Sequence, residues 1–299
     1  MAAHSATRDR EETATRLLAS SARNSFDPDI AVDWDAEFVP GLPFMPLERI
    51  SLYGTSLWDR LSPDQRIELS KHEIASALSV GLWFEILLMQ RLARYAYELD
   101  PRTAHAQYAL TEVGDETRHT VMFAKVARHL GVPRYGVHPA MHKLARVWPV
   151  VSSGPAMFAS VLVAEETTDR FQRSMMNDDN IQPLIRTVAR IHVTEEARHV
   201  RFAREEVVRR MRKLGPSARA AQRMQAAVVS RFVMDGLIDP RVYASVGIDP
   251  GEGHRAARNN PQFRATKLWM GEKIMPFLDE AGLIGGPSMR LWRKANLVR

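Results

Sequence analysis

The sequence predicts an all-α protein built on four long helices. Apolar residues recur at three- and four-residue intervals through four extended stretches. Clear start and stop signals bound those stretches, and none shows the apolar/polar alternation of a half-buried strand. At 299 residues the chain is long enough to bury a substantial core as a single domain spanning 1–299. Its expected parts are an N-terminal arm over 1–61, a bundle core over 62–214 and a C-terminal helical extension over 215–299.

The arm opens with an amphipathic, Arg/Glu-rich stretch to about Asn24. Pro28, Pro40, Gly41, Pro43 and Pro46 then exclude a sustained helix, which suggests a segment that wraps the core. The first core helix starts at Ser62-Pro63-Asp64-Gln65, where Ser caps, Pro takes the first helical position and Gln lies three residues after the cap. It runs to Leu99 and is broken by Asp100-Pro101. The second runs from about Arg102 to Leu130 and stops at Gly131-Val132-Pro133. An irregular link containing Pro139, Pro149 and Gly154-Pro155 leads to a third helix over about Ala156 to Asn177. Asn177-Asp178-Asp179-Asn180 and Pro183 turn the chain into the fourth, which ends before Gly215-Pro216. Residues 217–237 and 264–282 are expected to be helical; Asp239-Pro240 and the segment from Ile248 to Pro261 are expected to be loops.

Composition narrows the chemistry. The chain has no cysteine, so disulfides, thiolate metal sites and Cys nucleophiles are excluded, and any metal must be held by oxygen and nitrogen. The net charge is +6 and the sequence pI about 9.8, but the arginines are scattered through helical patterns instead of forming runs, so no nucleic-acid partner is expected. No stretch reads as a membrane span and Met1 to Arg16 carries no apolar leader core, which makes the cytoplasm the expected location.

One internal repeat carries the chemistry. Asp115-Glu116-Thr117-Arg118-His119 and Glu195-Glu196-Ala197-Arg198-His199 share the pattern acid-Glu-x-Arg-His, with the two motif glutamates 80 residues apart. Glu85 and Glu165 each precede a motif Glu by 31 residues. Glu and His three residues apart lie on one helix face, so Glu116 with His119, and Glu196 with His199, can each present a carboxylate and an imidazole to one point. A single such pair is ordinarily a solvated surface pair. Two copies, each preceded at the same distance by a Glu in apolar sequence, match the ferritin-like di-metal bundles, which take one Glu from each of two helices and a Glu-x-x-His from each of the other two. Glu85 is the only ionisable residue in Val80–Met89, and Glu165 follows the apolar run Met157–Ala164. Burying either carboxylate alone is costly, and a divalent cation is the natural compensation. The 80-residue offset selects Glu165 over its neighbour Glu166.

Between these candidate ligands, Asp115 and Glu195 can accept hydrogen bonds from ligand imidazoles, with Arg118 and Arg198 pairing to them; the alternative is surface ion pairing. Four residues before each motif Glu the halves differ, Glu112 against His192. His192 is then either a third imidazole on the stripe with Glu196 and His199 or a core histidine.

These residues resemble the ferritin-like di-iron carboxylate oxygenases, and most of all the p-aminobenzoate N-oxygenase family, whose di-iron centre carries one extra histidine. The resemblance covers roughly residues 50–215. It implies Glu85, Glu116, His119, Glu165, His192, Glu196 and His199 as metal ligands and catalytic centre, and two iron ions (manganese as the alternative) with dioxygen as co-substrate. It also implies a small organic substrate, an arylamine oxidised at nitrogen, and an external electron donor, either a reductase or a ferredoxin-like carrier. The default assembly is a homodimer without nucleic acid or membrane. The radical-bearing Tyr of ribonucleotide reductase small subunits is replaced here by Phe123. A ferritin-like iron oxidase or storage protein and a di-iron desaturase or hydroxylase are the rival readings. Residues 73–84 contain no Arg to meet a substrate carboxylate, Arg91 and Arg94 are expected on an exposed helix end, and Gly81 is expected either to open space beside the metals or to mark a close helix contact.

Overall fold

In the computed structural model, which describes residues 2–299 except 138–141, 144, 147, 149–151 and 153, the chain is helical and no strand occurs among the described residues. The predicted link residues Pro139 and Pro149 lie outside the described residues. The chain begins with α1 (Ala2–Arg23), followed by the single turns α2 (Pro28–Ala31) and α3 (Ser56–Asp59) in the proline-rich segment. The four long helices are α4 (Pro63–Tyr97), α5 (Ala104–His129), α6 (Gly154–Met175) and α7 (Pro183–Arg212). Ser62 caps α4 through a reciprocal box with Gln65, Thr103 caps α5, and Gly131 (φ +64°) lets the chain leave α5 in the left-handed region that glycine tolerates.

α4 pairs with α5 and α6 with α7; α5 also meets α7 and α4 meets α6, closing a four-helix bundle. α1 lies along α5 and α7, and α8 (Pro216–Gly236) covers α6. Two large clusters of buried apolar residues form the core. One gathers Leu88, Leu92, Tyr108, Phe158, Leu162 and Phe202, the other Leu69, Ile74, Phe123, Val126, Ile185 and Val188. Position along each helix places Glu85, Glu116, Glu165 and Glu196 between them, so the repeat forms a polar layer with apolar packing on both sides.

The C-terminal region departs from the sequence expectation. Where a loop was expected from Ile248 to Pro261, α9 (Pro250–Asn259) forms, capped by Asp249 and with Pro at its first position. Asp239 caps a 3-10 turn over Pro240–Val246. The expected helix over 264–282 divides into α10 (Pro261–Gly271) and α11 (Ile274–Glu280), and α12 (Met289–Lys294) follows. By length and composition alone α4 is apolar enough to cross a membrane, and half of its most apolar window is buried inside the bundle.

Candidate metal centre

The four bundle helices bring seven side chains to one buried layer: Glu85 from α4, Glu116 and His119 from α5, Glu165 from α6, and His192, Glu196 and His199 from α7. None is more than 5% exposed. His119 Nδ1 lies 3.1 Å from Glu116 Oε2 and 3.4 Å from Glu196 Oε1. His199 Nδ1 lies 3.0 Å from Glu116 Oε1 and from Glu196 Oε1. His192 Nε2 stands 3.5 Å from both Glu85 Oε1 and Glu196 Oε1. The donor atoms fall into overlapping groups close enough to share an ion, among them Glu85–His119–His192, Glu165–His192–Glu196 and Glu116–His119–Glu196.

The imidazoles are held from behind by a crossed arrangement. His119 on α5 donates from Nε2 to Glu195 Oε2 on α7 at 2.8 Å, and His199 on α7 donates from Nε2 to Asp115 Oδ2 on α5 at 3.1 Å. Each acid thus fixes the tautomer of the histidine on the other helix and turns that ring's Nδ1 inward. Arg118 pairs with Asp115 and reaches Glu195 at 3.4 Å; Arg198 reaches Asp115 at 3.1 Å and Glu195 at 3.6 Å. Sequence reasoning did not anticipate that the turn after α1 closes this network. The Phe26 backbone N–H donates to Glu195 at 3.0 Å, Arg198 donates to the Asn24 carbonyl at 3.0 Å, and Arg118 donates to the Ser25 hydroxyl at 2.7 Å.

Electrostatics make the layer costly as bare protein. Burial, then the charges of Glu116 and Glu165, push the Glu85 carboxyl well above its ordinary range; burial, then Glu196 and Glu116, do the same to Glu165. Burial works against ionisation of Glu116 and Glu196 as well, yet the adjacent imidazoles hold both low, Glu196 at about 2. Burial pushes His192 down to about 4, so it is a neutral imidazole at pH 7. Several candidate metal-ligating atoms are buried without a hydrogen-bond partner: Glu85 Oε2, Glu196 Oε2 and both His192 nitrogens. Orphaned lone pairs converging on one point are what a metal site requires, and two divalent cations would balance four carboxylates beside three neutral imidazoles.

Glu166 points away and pairs with Arg204 (Nε 2.8 Å from Oε1), leaving Glu165 as the inward carboxylate of α6. The ring of Phe123 lies 4.9 Å from that of His192. A further carboxylate, Glu112, joins Glu116 and His199 in another possible metal group; burial first, then the competing charges around it, push it up to about 8. Beside it, the Tyr108 hydroxyl is buried with no partner. The signal for both was available, since Tyr108, Glu112, Glu116 and His119 follow one another at three- and four-residue spacing. Arg91 corrects the expectation of an exposed end: it is buried and donates from Nε to the Ser152 carbonyl at 3.0 Å, while Arg94 is exposed.

Two cavities adjoin the layer. A small one of about 70 Å³ is lined by Glu85, Glu165, His192, Gly81 and Phe123; a Cβ added at Gly81 would meet nothing within 4 Å, so the glycine leaves open space there. The other, about 370 Å³, touches Glu165 and is otherwise walled mainly by apolar side chains including Phe84, Leu88, Trp148, Val161 and Phe232.

An all-α, ferritin-like bundle whose interior gathers histidine and carboxylate groups able to hold a metal defines the general class of this protein. Within it, the family described as P-aminobenzoate N-oxygenase AurF matches residues 7–282, and the chain belongs to that family. Membership relates it to di-iron oxygenases. The chain is also 30% identical over 211 residues to uncharacterized proteins of Mycobacterium tuberculosis and Mycobacterium bovis; the matched region is 68% of this chain and 62% of each of those relatives.

Proposed function

We propose that this chain is a non-haem di-iron monooxygenase that oxidises a small organic substrate, an amine at nitrogen. The observation that carries this reading is the buried layer of unpartnered carboxylate and imidazole donors on four helices. Glu85, Glu116, His119, Glu165, His192, Glu196 and His199 would hold two irons. Bound there, the metals would supply activation of dioxygen, drawing two electrons from an external reductase or small redox carrier.

The protein's own work is positioning and exclusion. Asp115 and Glu195 keep one proton on the outer nitrogen of His199 and His119, so the inner nitrogens stay free to coordinate. Phe123 packs beside His192 as an apolar wall of the small cavity. Glu165 borders both the layer and the 370 Å³ cavity, so a substrate held there reaches the centre on its α6 side. The walls of that cavity contain no Arg or Lys among the described residues, which favours an uncharged reacting end over a carboxylated ring.

Elemental analysis of purified, iron-loaded protein tests the reading. The expected content is close to two irons per chain, with N-oxidised product from at least one member of an arylamine panel under reduction and air. Less than about half a metal per chain, or unchanged metal content in Glu116→Ala and His199→Ala, would refute it.

A further inference from the structure

The apolar cavity beside Glu165 shares a wall with a second space of opposite character. Trp83, Leu87 and Ala145 line both it and a cleft of about 1680 Å³. Among the described residues, nine arginine and lysine side chains line that cleft against only two carboxylates, Asp235 and Asp239. Both acids are already engaged, Asp235 with Arg231 at 2.6 Å and Asp239 with Arg241 at 2.5 Å. Arg134, Arg258, Arg264 and Lys294 face the cleft with no acidic partner among the described residues, and residues 138–153, which contribute His142 and Arg146 to its lining, contain no Asp or Glu.

Lys267 adds an independent sign. It is 9% exposed, lines the cleft and makes no hydrogen bond or ion pair among the described residues; its Nζ lies 4.7 Å from the centre of the Phe263 ring. Burial lowers its pKa to about 8 against the opposing pull of Asp235, whose carboxylate is already paired with Arg231, so at pH 7 it remains mostly an ammonium with no direct partner among the described residues. A largely desolvated ammonium gains from a direct anionic partner, which an anion in the cleft would supply.

We propose that the cleft binds the phosphate-bearing head of the substrate, whose uncharged body fills the adjoining cavity and presents its reacting atom beside Glu165. This names the substrate class for the oxygenase reading above and rests on it. Phosphate is the fitting anion because several cations line the same cleft, arginine forks match its oxygens, and a lone carboxylate would need only one of them. The apolar cavity is large enough for a small ligand body and, apart from Glu165 at its metal end, has no charged side chain among the described residues to offer it.

The test is calorimetric titration of the iron-loaded protein with octyl phosphate, octanol and inorganic phosphate. Octyl phosphate is expected to bind at least about tenfold more tightly than either of the others, with the advantage shrinking as salt is raised. The double variant Arg258→Glu/Arg264→Glu is expected to lose that advantage while keeping its iron content and octanol affinity. Equal binding of octyl phosphate and octanol, or an advantage untouched by the double variant, overturns the proposal. Co-sedimentation with phosphatidylcholine vesicles containing phosphatidic acid would assign the phosphate to a lipid, whereas binding of dissolved octyl phosphate alone assigns it to a soluble ester. Glu116→Ala separates this inference from the metal reading, because it is expected to lose iron and still bind octyl phosphate.

Discussion

Replacing Asp115 by asparagine keeps the side chain's shape and removes one charge that three groups share. Asp115 accepts from His199 Nε2 and from Arg198 Nη2, both at 3.1 Å, and pairs with Arg118. Asparagine can still accept one hydrogen bond from the imidazole, but the anion that keeps the proton on Nε2 and the lone pair on Nδ1 is gone. Loss of such a partner costs about 10–100-fold in metal affinity, or about 1.4–2.8 kcal/mol. The fold should suffer less, because Arg198, only 5% exposed, keeps Glu195 at 3.6 Å and the Asn24 carbonyl at 3.0 Å; about 1–3 kcal/mol of stability is at stake. Anaerobic competition between the protein and a chromogenic ferrous chelator reads the first quantity, and denaturant unfolding of the metal-free chain reads the second. Glu195→Gln, acting through His119, should give an effect of the same size because the bonding is crossed. An affinity within about twofold of wild type in both variants would refute the claim that these acids set the donor nitrogens.

Glu165→Ala is expected to bring iron below two per chain, whereas Glu166→Ala, which removes only the partly exposed Arg204 pair, should leave iron content unchanged and cost about 1 kcal/mol or less; elemental analysis and melting curves check both. Gly81→Leu should fill the 70 Å³ cavity and lower turnover with iron retained, read by steady-state rate against metal content. Glu206 is buried, which opposes its ionisation, but Arg10 at 2.6 Å and the nearby charges hold it at about 2 against an ordinary value of 4.5. Its contribution, roughly 3 kcal/mol at most, is therefore complete above about pH 5 and lost as pH falls toward 2. Arg10→Ala should accordingly destabilise the chain at pH 6 more than at pH 3 in urea titrations, and equal effects at the two pH values would count against the pair.

What could be read in the sequence was whatever obeys a local rule. The bundle helices declared themselves because Ser62-Pro63-Asp64-Gln65 is a capping box, because apolar spacing ran unbroken between caps, and because the repeat placed Glu85, Glu116, Glu165 and Glu196 in register without insertions. α9 was missed although Asp249-Pro250-Gly251-Glu252 has the same cap-and-proline form, and the helix carries two glycines, Gly251 and Gly253, which weaken a helical pattern. Gly253 is there for packing: a Cβ at that position would sit 2.4 Å from the Tyr243 ring. Arg91 was misplaced because its burial depends on the Ser152 carbonyl, 61 residues away, which no helical periodicity reports. The clamp by Asn24, Ser25 and Phe26 was hidden for the same reason, as backbone groups and a serine carry no pattern that points to α5 and α7.

The crossing of Asp115 to His199 and Glu195 to His119 gives the repeat its mechanical meaning. Two independent Glu-x-x-His helices could slide past one another by a fraction of a turn and still bury their apolar faces, because apolar contact is non-directional. The crossed hydrogen bonds forbid that slide, since α5 and α7 each hold the imidazole of the other, and the turn at 24–26 ties both ends of the crossing to α1. The symmetry is then broken at one position. Four residues before each motif Glu, α7 places His192 against Glu85, Glu165 and the small cavity, while α5 places Glu112 near His199, within reach of Tyr108. In the oxygenase reading, the cavity side of the centre thus receives an additional neutral nitrogen, and the other side a carboxyl that burial keeps protonated at neutral pH. One motif, used twice, so presents two unlike faces: the one carrying His192 borders the 70 Å³ cavity, and Glu165 beside it borders the 370 Å³ cavity as well.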